Sequence, residues 1–584
     1  MSDAAALAAL AAHDALVAAL RRPGACGGHP GVPGLVQTHI SSVLLAGERV
    51  YKLKRPLRTG FCDFSTLALR QAACAEELRL NRRTAPDWYL GVVPVRAGAG
   101  GPWLPAGGAA GDGAADPVLD WAVAMRRFDE AAHADRLADA GRLGPAEVDA
   151  LAAAVARFHA ALPPSPPAFG TPDETRRWAR DNLAELAALL RAPAVARALP
   201  ADGLAIATGL LPALQAWTEA QGATLAPRMA ARQAAGAVRE CHGDLHLGNV
   251  FWHAGVPVLF DALEFNPALR HIDTAGELAF TFMDLQAHGL PALAWRFVGA
   301  VLEASGDWGA LPLLPWWAAY RAAVRAKVAL LGAVGAPAQA AAADTSGRAA
   351  GGAADGAPDA LRAAAAQAAR YLALAARLAG LAPDGRPGPP PAPRLVAMCG
   401  LSGSGKSVVA AELAAQLHGV RLRSDVERKR LAGLPAGARG GAALYDADST
   451  RRTYARLQAL AADALAAGVP VVVDAASLRR TERDALRTLA ARLGVPFTLL
   501  VCAAPPAVLQ ARVQARAAAG HDPSDATAEV LARQTAFAEW PGDDEAADTL
   551  RLDTDAAPAV LAQRIRALQA PGGGRLVGGR SAGH

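Results

Sequence analysis

Residues 395–407, LVAMCGLSGSGKS, join a short apolar run to a glycine-rich turn that opens a helical segment. The turn satisfies the pattern GxxxxGK[ST] through Gly400, Gly405, Lys406 and Ser407. In such a turn the backbone amides at a helix N-terminus surround phosphate oxygens, the lysine adds a positive charge and the hydroxyl can bind magnesium. Because the pattern requires a strand before it and a helix after it, this part of the chain is restricted to an α/β fold with a phosphate site.

The candidate phosphate cradle also includes Ser402, Gly403 and Ser404 of the same turn. Beyond the turn, apolar runs recur in VRLRS, GVPVVVDA and VPFTLLVCA, and helical segments separate them. Strands that alternate with helices in this way predict a parallel sheet.

Asp425 and Arg428, in RSDVERKRL, follow the next predicted strand. If the sheet is doubly wound, both side chains face the phosphate site. The carboxylate of Asp425 can then accept the proton of a substrate hydroxyl, and Arg428 can hold a phosphate or an acidic substrate. The alternative, of nearly equal weight, is that Asp425 caps a helix and that Arg428 and Lys429 lie on a solvated face.

A second polar cluster, CHGDLHLGNV, lies about 160 residues earlier in the chain. On a tight loop, Asp244 can accept a hydroxyl proton while Asn249, five residues later, offers an amide oxygen to magnesium. Asp261 follows Asn249 by 12 residues, the separation expected if two short strands form a hairpin beyond the loop, and completes a candidate magnesium site. The alternative is that His242 and His246 are simply hydrogen-bonded core histidines.

The N-terminal part of the sequence predicts an Ala/Leu-rich helix first, strands next and mainly helices further on. VLLAGERVYKLKRP predicts a hairpin with its turn at residues 46–49. A helix is predicted from about residue 66 to residue 82, with Ser65 as its N-cap. Thr274 and Glu277 have the spacing of a capping box, which assigns Glu277 a structural role.

Composition shifts divide the chain into domains. The predicted boundaries are a first domain at 1–382, a Pro-rich linker at 383–393, a second domain at 394–567 and a disordered tail at 568–584. Residues 334–357 lack periodicity and predict a flexible insertion within the first domain.

The overall composition excludes several classes of protein. A net charge of +5 over 584 residues, with arginines interspersed among acidic residues, does not indicate a nucleic-acid partner. Six cysteines without paired spacing argue against a disulfide framework or zinc site and favour a reducing cytoplasm. The first residues lack a basic signal sequence, and no run of 18 apolar residues predicts a membrane span.

The residues His242, Gly243, Asp244, His246 and Asn249 resemble the HGDxHxxN catalytic loop of the aminoglycoside phosphotransferase and choline kinase branch of the protein-kinase-like fold. The resemblance implies an α+β kinase-like domain in which Asp244 is the catalytic base and Asn249 and Asp261 bind magnesium.

The same resemblance implies residues upstream of the catalytic loop. A strand lysine should contact the ATP phosphates and pair with a helix glutamate. Lys52 and Glu77 are the preferred pair, with Lys54 and Glu76 as alternatives. Residues 125–127 would form the hinge that pairs with adenine through its backbone. The glycine-rich loop of other kinases is absent before Lys52, which leaves residues 38–42, THISS, as the polar loop for phosphates.

The stretch from about 394 to 565 resembles the P-loop kinases grouped with polynucleotide kinase, zeta toxins and gluconate-type kinases. By that resemblance Asp425 is a general base, and Arg512 and Arg516 are lid arginines that cover the transferring phosphate. Two arginines four residues apart on a helix are also typical of a solvated face. Together the two halves resemble bacterial proteins that fuse an aminoglycoside-phosphotransferase-like domain to a P-loop kinase-like AAA family ATPase.

These resemblances predict a cytoplasmic bifunctional phosphotransferase that uses ATP and Mg²⁺ in both domains, with small-molecule acceptors of unknown identity and no membrane partner. Two alternatives stay open: an ATP-sensing regulatory protein with one inactive domain, and a nucleic-acid 5′-end kinase acting through the second domain. The lack of a concentrated basic patch counts against the latter. The sequence does not determine the oligomeric state.

Overall fold

The computed structural model describes residues 3–60, 62–106, 116–199, 201–343, 356–388, 393–440, 442–519 and 523–567. The chain forms two compact units. Unit 1 contains Met1–Leu143, Phe158–His288 and Leu314–Gly388, and unit 2 contains Gly144–Arg157, Gly289–Leu313 and Pro389–His584. Two segments that the sequence assigned to the first domain, 144–157 and 289–313, therefore belong to unit 2.

Unit 1 contains a six-stranded antiparallel sheet with the order β1-β2-β3-β6-β4-β5. Its strands are β1 (Gly34–Gln37), β2 (Ser41–Ala46), β3 (Arg49–Lys54), β4 (Tyr89–Gly98), β5 (Gly101–Trp103) and β6 (Val118–Arg126). The β2–β3 hairpin turns at Gly47 and Glu48, inside the predicted turn. Helix α2 (Leu67–Asn81) packs on this sheet, and its buried residues include Cys74, Glu77 and Leu80.

The rest of unit 1 is mainly helical. Its other helices are α1 (Asp3–Leu20), α3 (Ala134–Asp139), α5 (Pro172–Arg191), α6 (Pro193–Ala198), α7 (Ala201–Ala234), α8 (Pro267–Arg270), α9 (Thr274–Ala287), α11 (Leu314–Ala343) and α12 (Gly356–Leu378). Two short antiparallel pairs flank the polar cluster: β7 (Val238–Glu240) with β10 (His271–Asp273), and β8 (Val250–His253) with β9 (Val256–Leu259). The β8–β9 pair is the hairpin expected between Asn249 and Asp261.

Unit 2 is built around a five-stranded parallel sheet with the order β12-β13-β11-β14-β15. The strands are β11 (Leu395–Cys399), β12 (Val420–Arg423), β13 (Val471–Asp474), β14 (Phe497–Ala503) and β15 (Thr549–Asp553). The helices are α10 (Pro291–Ser305), α13 (Lys406–Gln416), α14 (Ser424–Leu431), α15 (Ala447–Ala466), α16 (Arg480–Leu493), α17 (Pro506–Ala519), α18 (Ala528–Phe537) and α19 (Pro558–Ala567). Helix α4 (Pro145–Ala161) begins in unit 2 and ends in unit 1.

Three local predictions differ from the structure. The N-cap of α2 is Thr66, whose hydroxyl accepts a hydrogen bond from Leu69 N, so the predicted cap at Ser65 was one residue early. The N-cap of α9 is Asp273 rather than Thr274, and Glu277 is not part of a capping box. The edge strand β15 was missed because TLRLD is short and follows an acidic stretch.

The predicted insertion at 334–357 coincides with the end of one helix and the start of the next. Helix α11 continues to Ala343 and α12 begins at Gly356, while 344–355 lie outside the described residues. Part of the predicted linker, 389–392, and the predicted tail, 568–584, also lie outside them.

All six cysteines are buried and carry free thiols. Within the described part of the chain, no helix combines the length and the apolar character needed to cross a bilayer.

Candidate active sites

In unit 1, the predicted lysine and glutamate pair lies beside the predicted metal-binding aspartate. The ammonium of Lys52, on β3, lies 3.0 Å from Glu77 Oε1 and 2.5 Å from Asp261 Oδ1. Although burial opposes the charged form of Lys52, the carboxylates of Asp261 and Glu77 outweigh it and raise the pKa of the ammonium. The structure thus brings together three residues that are 25 and 209 positions apart.

Lys54 faces the same side of β3 but has a different environment. Its ammonium is fully buried between Glu77 and Glu264 and pairs with both carboxylates. Burial opposes ionisation of Glu77, but the two lysines outweigh it and hold the pKa of its carboxyl at about 2. Because Lys52 borders the 38% exposed side chain of Asp261 and Lys54 does not, Lys52 is better placed to reach a ligand.

Asp244 lies on a loop that its own neighbours hold together. Asn249 Nδ2 donates to the Asp244 carbonyl at 2.9 Å and to Asp244 Oδ2 at 3.1 Å, which leaves the amide oxygen of Asn249 as the atom that can bind a cation. His246 Nε2 lies 3.6 Å from Asp244 Oδ2 and 3.1 Å from Arg325 Nη1. Burial opposes ionisation of Asp244, but His246 and Arg325 outweigh it and keep the pKa of this carboxyl well below its usual range.

Three polar residues of α9 hold alternate residues of this loop. Glu277 Oε2 accepts from Gly243 N at 2.9 Å, the Thr281 hydroxyl donates to Leu245 O at 2.7 Å, and Asp284 Oδ2 accepts from Leu247 N at 2.8 Å. Positions 277, 281 and 284 share one helix face, and loop residues 243, 245 and 247 alternate along an irregular segment. Glu277 is therefore structural, as predicted, but it supports the loop that carries Asp244 rather than the end of a helix.

The two histidines of the motif have distinct roles. His242 is fully buried, and its Nε2 donates to Phe260 O at 2.8 Å, next to Asp261. Burial lowers the pKa of this imidazole, which favours its neutral form. His242 is thus a hydrogen-bonded core histidine, which was the alternative for this motif. The imidazole of His246 instead lies beside the carboxylate of Asp244.

The backbone at Asp261 adopts a left-handed conformation, with φ of 62°. For a residue with a side chain such a conformation costs free energy, so surrounding contacts must hold it. Asp261 N donates to the Tyr89 hydroxyl at 3.1 Å, and Ala262 N donates to Asn81 Oδ1 at 2.9 Å. Sequence reasoning missed Tyr89 and Asn81, because the link between them and Asp261 is purely tertiary.

Two backbone amides of the predicted hinge at 125–127 are hydrogen-bonded within unit 1, and the pairing of this segment with adenine stays a prediction. Arg126 N donates to Trp88 O at 2.9 Å and Arg127 N donates to Glu48 O at 2.8 Å, so neither amide is free for adenine. Arg126 ends β6, which lies between β3 and β4, whereas Arg127 follows β6 and donates to the turn between β2 and β3. Past its end, Phe128 stacks on Phe251 with a centroid distance of 4.2 Å, within an apolar cluster beside Lys52.

In unit 2, the glycine-rich turn connects the central strand β11 to α13. Gly403 has a φ of 83°, and a Cβ there would lie 2.5 Å from the Leu509 carbonyl oxygen, so only glycine fits. Ser402 N donates to Gln534 Oε1 at 2.8 Å, and Lys406 Nζ donates to Leu401 O at 3.3 Å. The amides that open α13 belong to a first helical turn and can bind an anion.

Asp474, at the end of β13, lies next to the turn. Ser407 Oγ donates to Asp474 Oδ1 at 3.1 Å, whereas Oδ2 is buried and accepts no hydrogen bond from the described residues. A hydroxyl beside an unsatisfied carboxylate oxygen matches the hard oxygen ligands that Mg²⁺ prefers, so Ser407 and Asp474 fit a metal site. In unit 1, Asp261 and Asn249 offer a carboxylate and an amide oxygen, and Phe260 N, next to Asp261, donates to Asn249 O at 3.1 Å.

Asp425 and Arg428 lie on α14, and the alternative of a cap and a solvated face is wrong. The N-cap of α14 is Arg423, and Arg428 and Lys429 are 7% and 1% exposed. Arg428 Nη1 donates to Leu444 O and to Thr450 Oγ1, both at 3.2 Å.

Desolvation raises the pKa of Asp425, against the opposing charges of Arg423 and Lys406, and Asp474 adds to the rise. A carboxylate with a raised pKa binds a substrate proton more strongly, which suits a general base.

The two predicted lid arginines lie in different environments on α17. Arg512 donates to Gly403 O at 3.4 Å and to Thr554 O at 2.9 Å, so it supports the back of the turn. Arg516 Nη2 is buried and makes no hydrogen bond within the described residues, which leaves it available to an anion. That either arginine covers the transferring phosphate stays a prediction.

The raised pKa of Asp425 predicts the pH dependence of unit 2. If Asp425 must be ionised to act as a base, kcat/KM should fall as the pH falls through a pKa above the ordinary value of 3.8. A profile of kcat/KM against pH measures this fall at acid pH. The acid limb of the profile should be missing from the residual activity of Asp425→Asn. An acid limb at or below 3.8 would contradict the role of Asp425.

Comparison with known families assigns a class to each half of the chain. Residues 96–314 match the model of the Phosphotransferase enzyme family, and residues 395–541 match that of the AAA domain. The chain is therefore a two-domain protein in which a phosphotransferase, kinase-like domain precedes a P-loop kinase-like domain with a parallel sheet, as predicted. The first match includes Asp244, Asn249 and Asp261 but begins after Lys52 and Glu77.

Among curated proteins, the chain is 29% identical over 530 residues to uncharacterized proteins of Mycobacterium tuberculosis H37Rv and Mycobacterium bovis, which covers 88% of this chain and 93% of each relative. Among solved structures, it is similar to the APS kinase of Mycobacterium tuberculosis in complex with AMPPNP and APS, at 26% identity over 31% of this chain and 98% of that chain, with a TM-score of 0.24. A gluconokinase from Sinorhizobium meliloti is 24% identical over 30% of this chain and 91% of its own, with a TM-score of 0.22.

Proposed function

We propose that both units are ATP-dependent phosphotransferases, and that each transfers the γ-phosphate of Mg-ATP to a hydroxyl-type acceptor, most simply a small molecule in the cytoplasm. The observation that carries the proposal is that each unit holds a carboxylate base, a lysine and a pair of oxygen ligands suited to Mg²⁺ in one place. In unit 1 these are Asp244, Lys52, Asn249 and Asp261.

In unit 2 the corresponding groups are Asp425, Lys406, Ser407 and Asp474. Phosphoryl transfer needs little covalent chemistry from a protein, so catalysis depends on positioning and on charge stabilisation. A bound Mg²⁺ ion would supply charge neutralisation at the phosphates. The chain's own groups would hold the nucleotide, keep a base ionised and receive the acceptor proton.

The proposal is tested by following label from γ-labelled ATP into a soluble metabolite extract. We expect wild type to form at least one labelled product, Asp244→Asn to lose the product of unit 1, and Asp425→Asn to lose that of unit 2. The isosteric change Glu219→Gln, at an exposed surface pair with Arg180, is the control and should lose neither. If ATP binds but no label moves in any sample, the transferase proposal fails and a regulatory ATP-binding role gains weight.

A further inference from the structure

Helix α10 and the turn Trp308–Leu313 belong to unit 2, although they lie within the stretch that matches the phosphotransferase family. The buried indole of Trp308 donates from Nε1 to Glu427 Oε1 at 3.1 Å. Glu427 is 1% exposed and lies on α14 between Asp425 and Arg428. The segment is therefore packed directly against the helix that carries the candidate base of unit 2.

From α10, Glu303 binds Arg421 through three hydrogen bonds. Arg421 Nη2 donates to Glu303 Oε1 at 3.0 Å and to Oε2 at 2.8 Å, and Nε donates to Oε2 at 3.1 Å. Both side chains are about one-fifth exposed, at 17% and 21%. A bidentate guanidinium–carboxylate pair of this kind fixes orientation as well as charge.

The remaining nitrogen of Arg421 faces the P-loop site. Arg421 Nη1 donates to Ser407 O at 3.1 Å and lies 3.9 Å from Asp474 Oδ2. Arg423 Nε lies 3.8 Å from the same oxygen. Two guanidinium groups thus stand just beyond hydrogen-bonding distance of the Asp474 oxygen that accepts no hydrogen bond from the described residues.

We propose that Glu303 is a positioning residue of the unit 2 site, because it holds Arg421 away from Asp474 Oδ2 and so keeps that oxygen available to Mg²⁺. Without the Glu303 charge, Arg421 can turn further toward Asp474 and convert the present 3.9 Å ion pair into a direct hydrogen bond to Oδ2. The cation and the guanidinium then compete for one carboxylate oxygen. The inference rests on the proposed function of unit 2. Glu303 lies in the stretch that matches the phosphotransferase family, and the inference gives it a role in the P-loop site of unit 2.

The test is the Mg²⁺ dependence of ADP binding to the full chain, measured by titration calorimetry with Mg²⁺ or with EDTA. The unit 2 contribution is the part that Lys406→Ala removes. We expect Glu303→Gln to weaken the Mg²⁺-dependent part of ADP affinity about tenfold, a coupling typical of contacting residues, while binding in EDTA is unchanged. Arg421→Gln should keep the wild-type Mg²⁺ dependence, since the competing cation is gone.

The double variant Glu303→Gln/Arg421→Gln separates positioning from simple docking of α10. We expect it to regain the wild-type Mg²⁺ dependence, although it lacks the ion pair altogether. If Glu303→Gln leaves the Mg²⁺ dependence unchanged, or if the double variant is as impaired as Glu303→Gln, the inference is overturned. If wild type shows no Mg²⁺-dependent ADP binding that Lys406→Ala removes, the proposed function of unit 2 fails first, and the inference with it.

Discussion

Asp244→Asn is expected to lower the rate of phosphoryl transfer by unit 1 by about 10²–10⁴-fold, the usual contribution of a positioned general base. The substitution keeps the shape of the side chain but removes the charge that accepts the acceptor proton. It also retains an oxygen for the hydrogen bond from Asn249 Nδ2, so the loop should keep its form.

Single-turnover kinetics with purified acceptor provide the measurement, because they report the chemical step separately from product release. The affinity for ATP should change little, since Lys52 and Asp261 are untouched. The control Asp425→Asn should leave this step at its wild-type rate. If Asp244→Asn lowered the transfer rate by less than about tenfold, Asp244 would not be the general base.

Lys54→Met should destabilise unit 1 by roughly 3–5 kcal/mol at neutral pH, the cost of leaving a buried charge without its partner. Lys54 is 0% exposed and lies between Glu77 and Glu264, whose side chains are 0% and 4% exposed. Its removal takes from Glu264 the ammonium that pairs with it and leaves this buried carboxylate beside the like charge of Glu77, which keeps Lys52.

The matched variant Lys52→Met should show the opposite pattern. Glu77 keeps Lys54, and the other partner of Lys52, Asp261, is 38% exposed and can be hydrated. We therefore expect a small loss of stability but a large loss of ATP affinity in unit 1. Urea unfolding monitored together with nucleotide binding distinguishes the two lysines. Equal loss of stability in both variants would contradict this assignment.

The pH dependence of these stabilities has a defined sign. In wild type the pKa of Glu77 is depressed to about 2, so its contribution to stability is complete above its unfolded pKa of about 4.5 and is lost as the pH falls toward 2. The pKa of Glu264 is already raised by burial in wild type, and in Lys54→Met it should rise further because its ammonium partner is gone, so protonation of Glu264 relieves the loss. The difference in stability between wild type and variant should therefore shrink as the pH falls.

Much of both sites could be predicted because their key residues lie in short, local patterns. The turn from Gly400 to Ser407 and the loop from His242 to Asn249 each place several groups within one stretch of chain, and the backbone geometry of such stretches is largely fixed by their own residues. The hairpin between Asn249 and Asp261 followed from spacing alone.

The supporting residues could not be predicted in the same way. From α9, Thr281 and Asp284 contact the loop that carries Asp244, and Arg325 reaches His246 from α11, 79 residues away. Nothing in their local sequence separates them from ordinary helix residues. Likewise, the partners of the amides at 126 and 127 are Trp88 O and Glu48 O, which lie 38 and 79 residues earlier in the chain, so local sequence does not reveal them.

The sequence by itself determined the class of each of the two domains, the two motif-bearing loops and the parallel sheet of unit 2, because each depends on local motifs and hydrophobic periodicity. Only the tertiary structure decided that Lys52 borders Asp261 while Lys54 is buried, since both lysines have the same place in the strand period. Only the tertiary structure placed Glu303 beside Arg421, 118 residues later. The physical reason is that burial and charge pairing depend on which surfaces meet, and local sequence does not specify those surfaces.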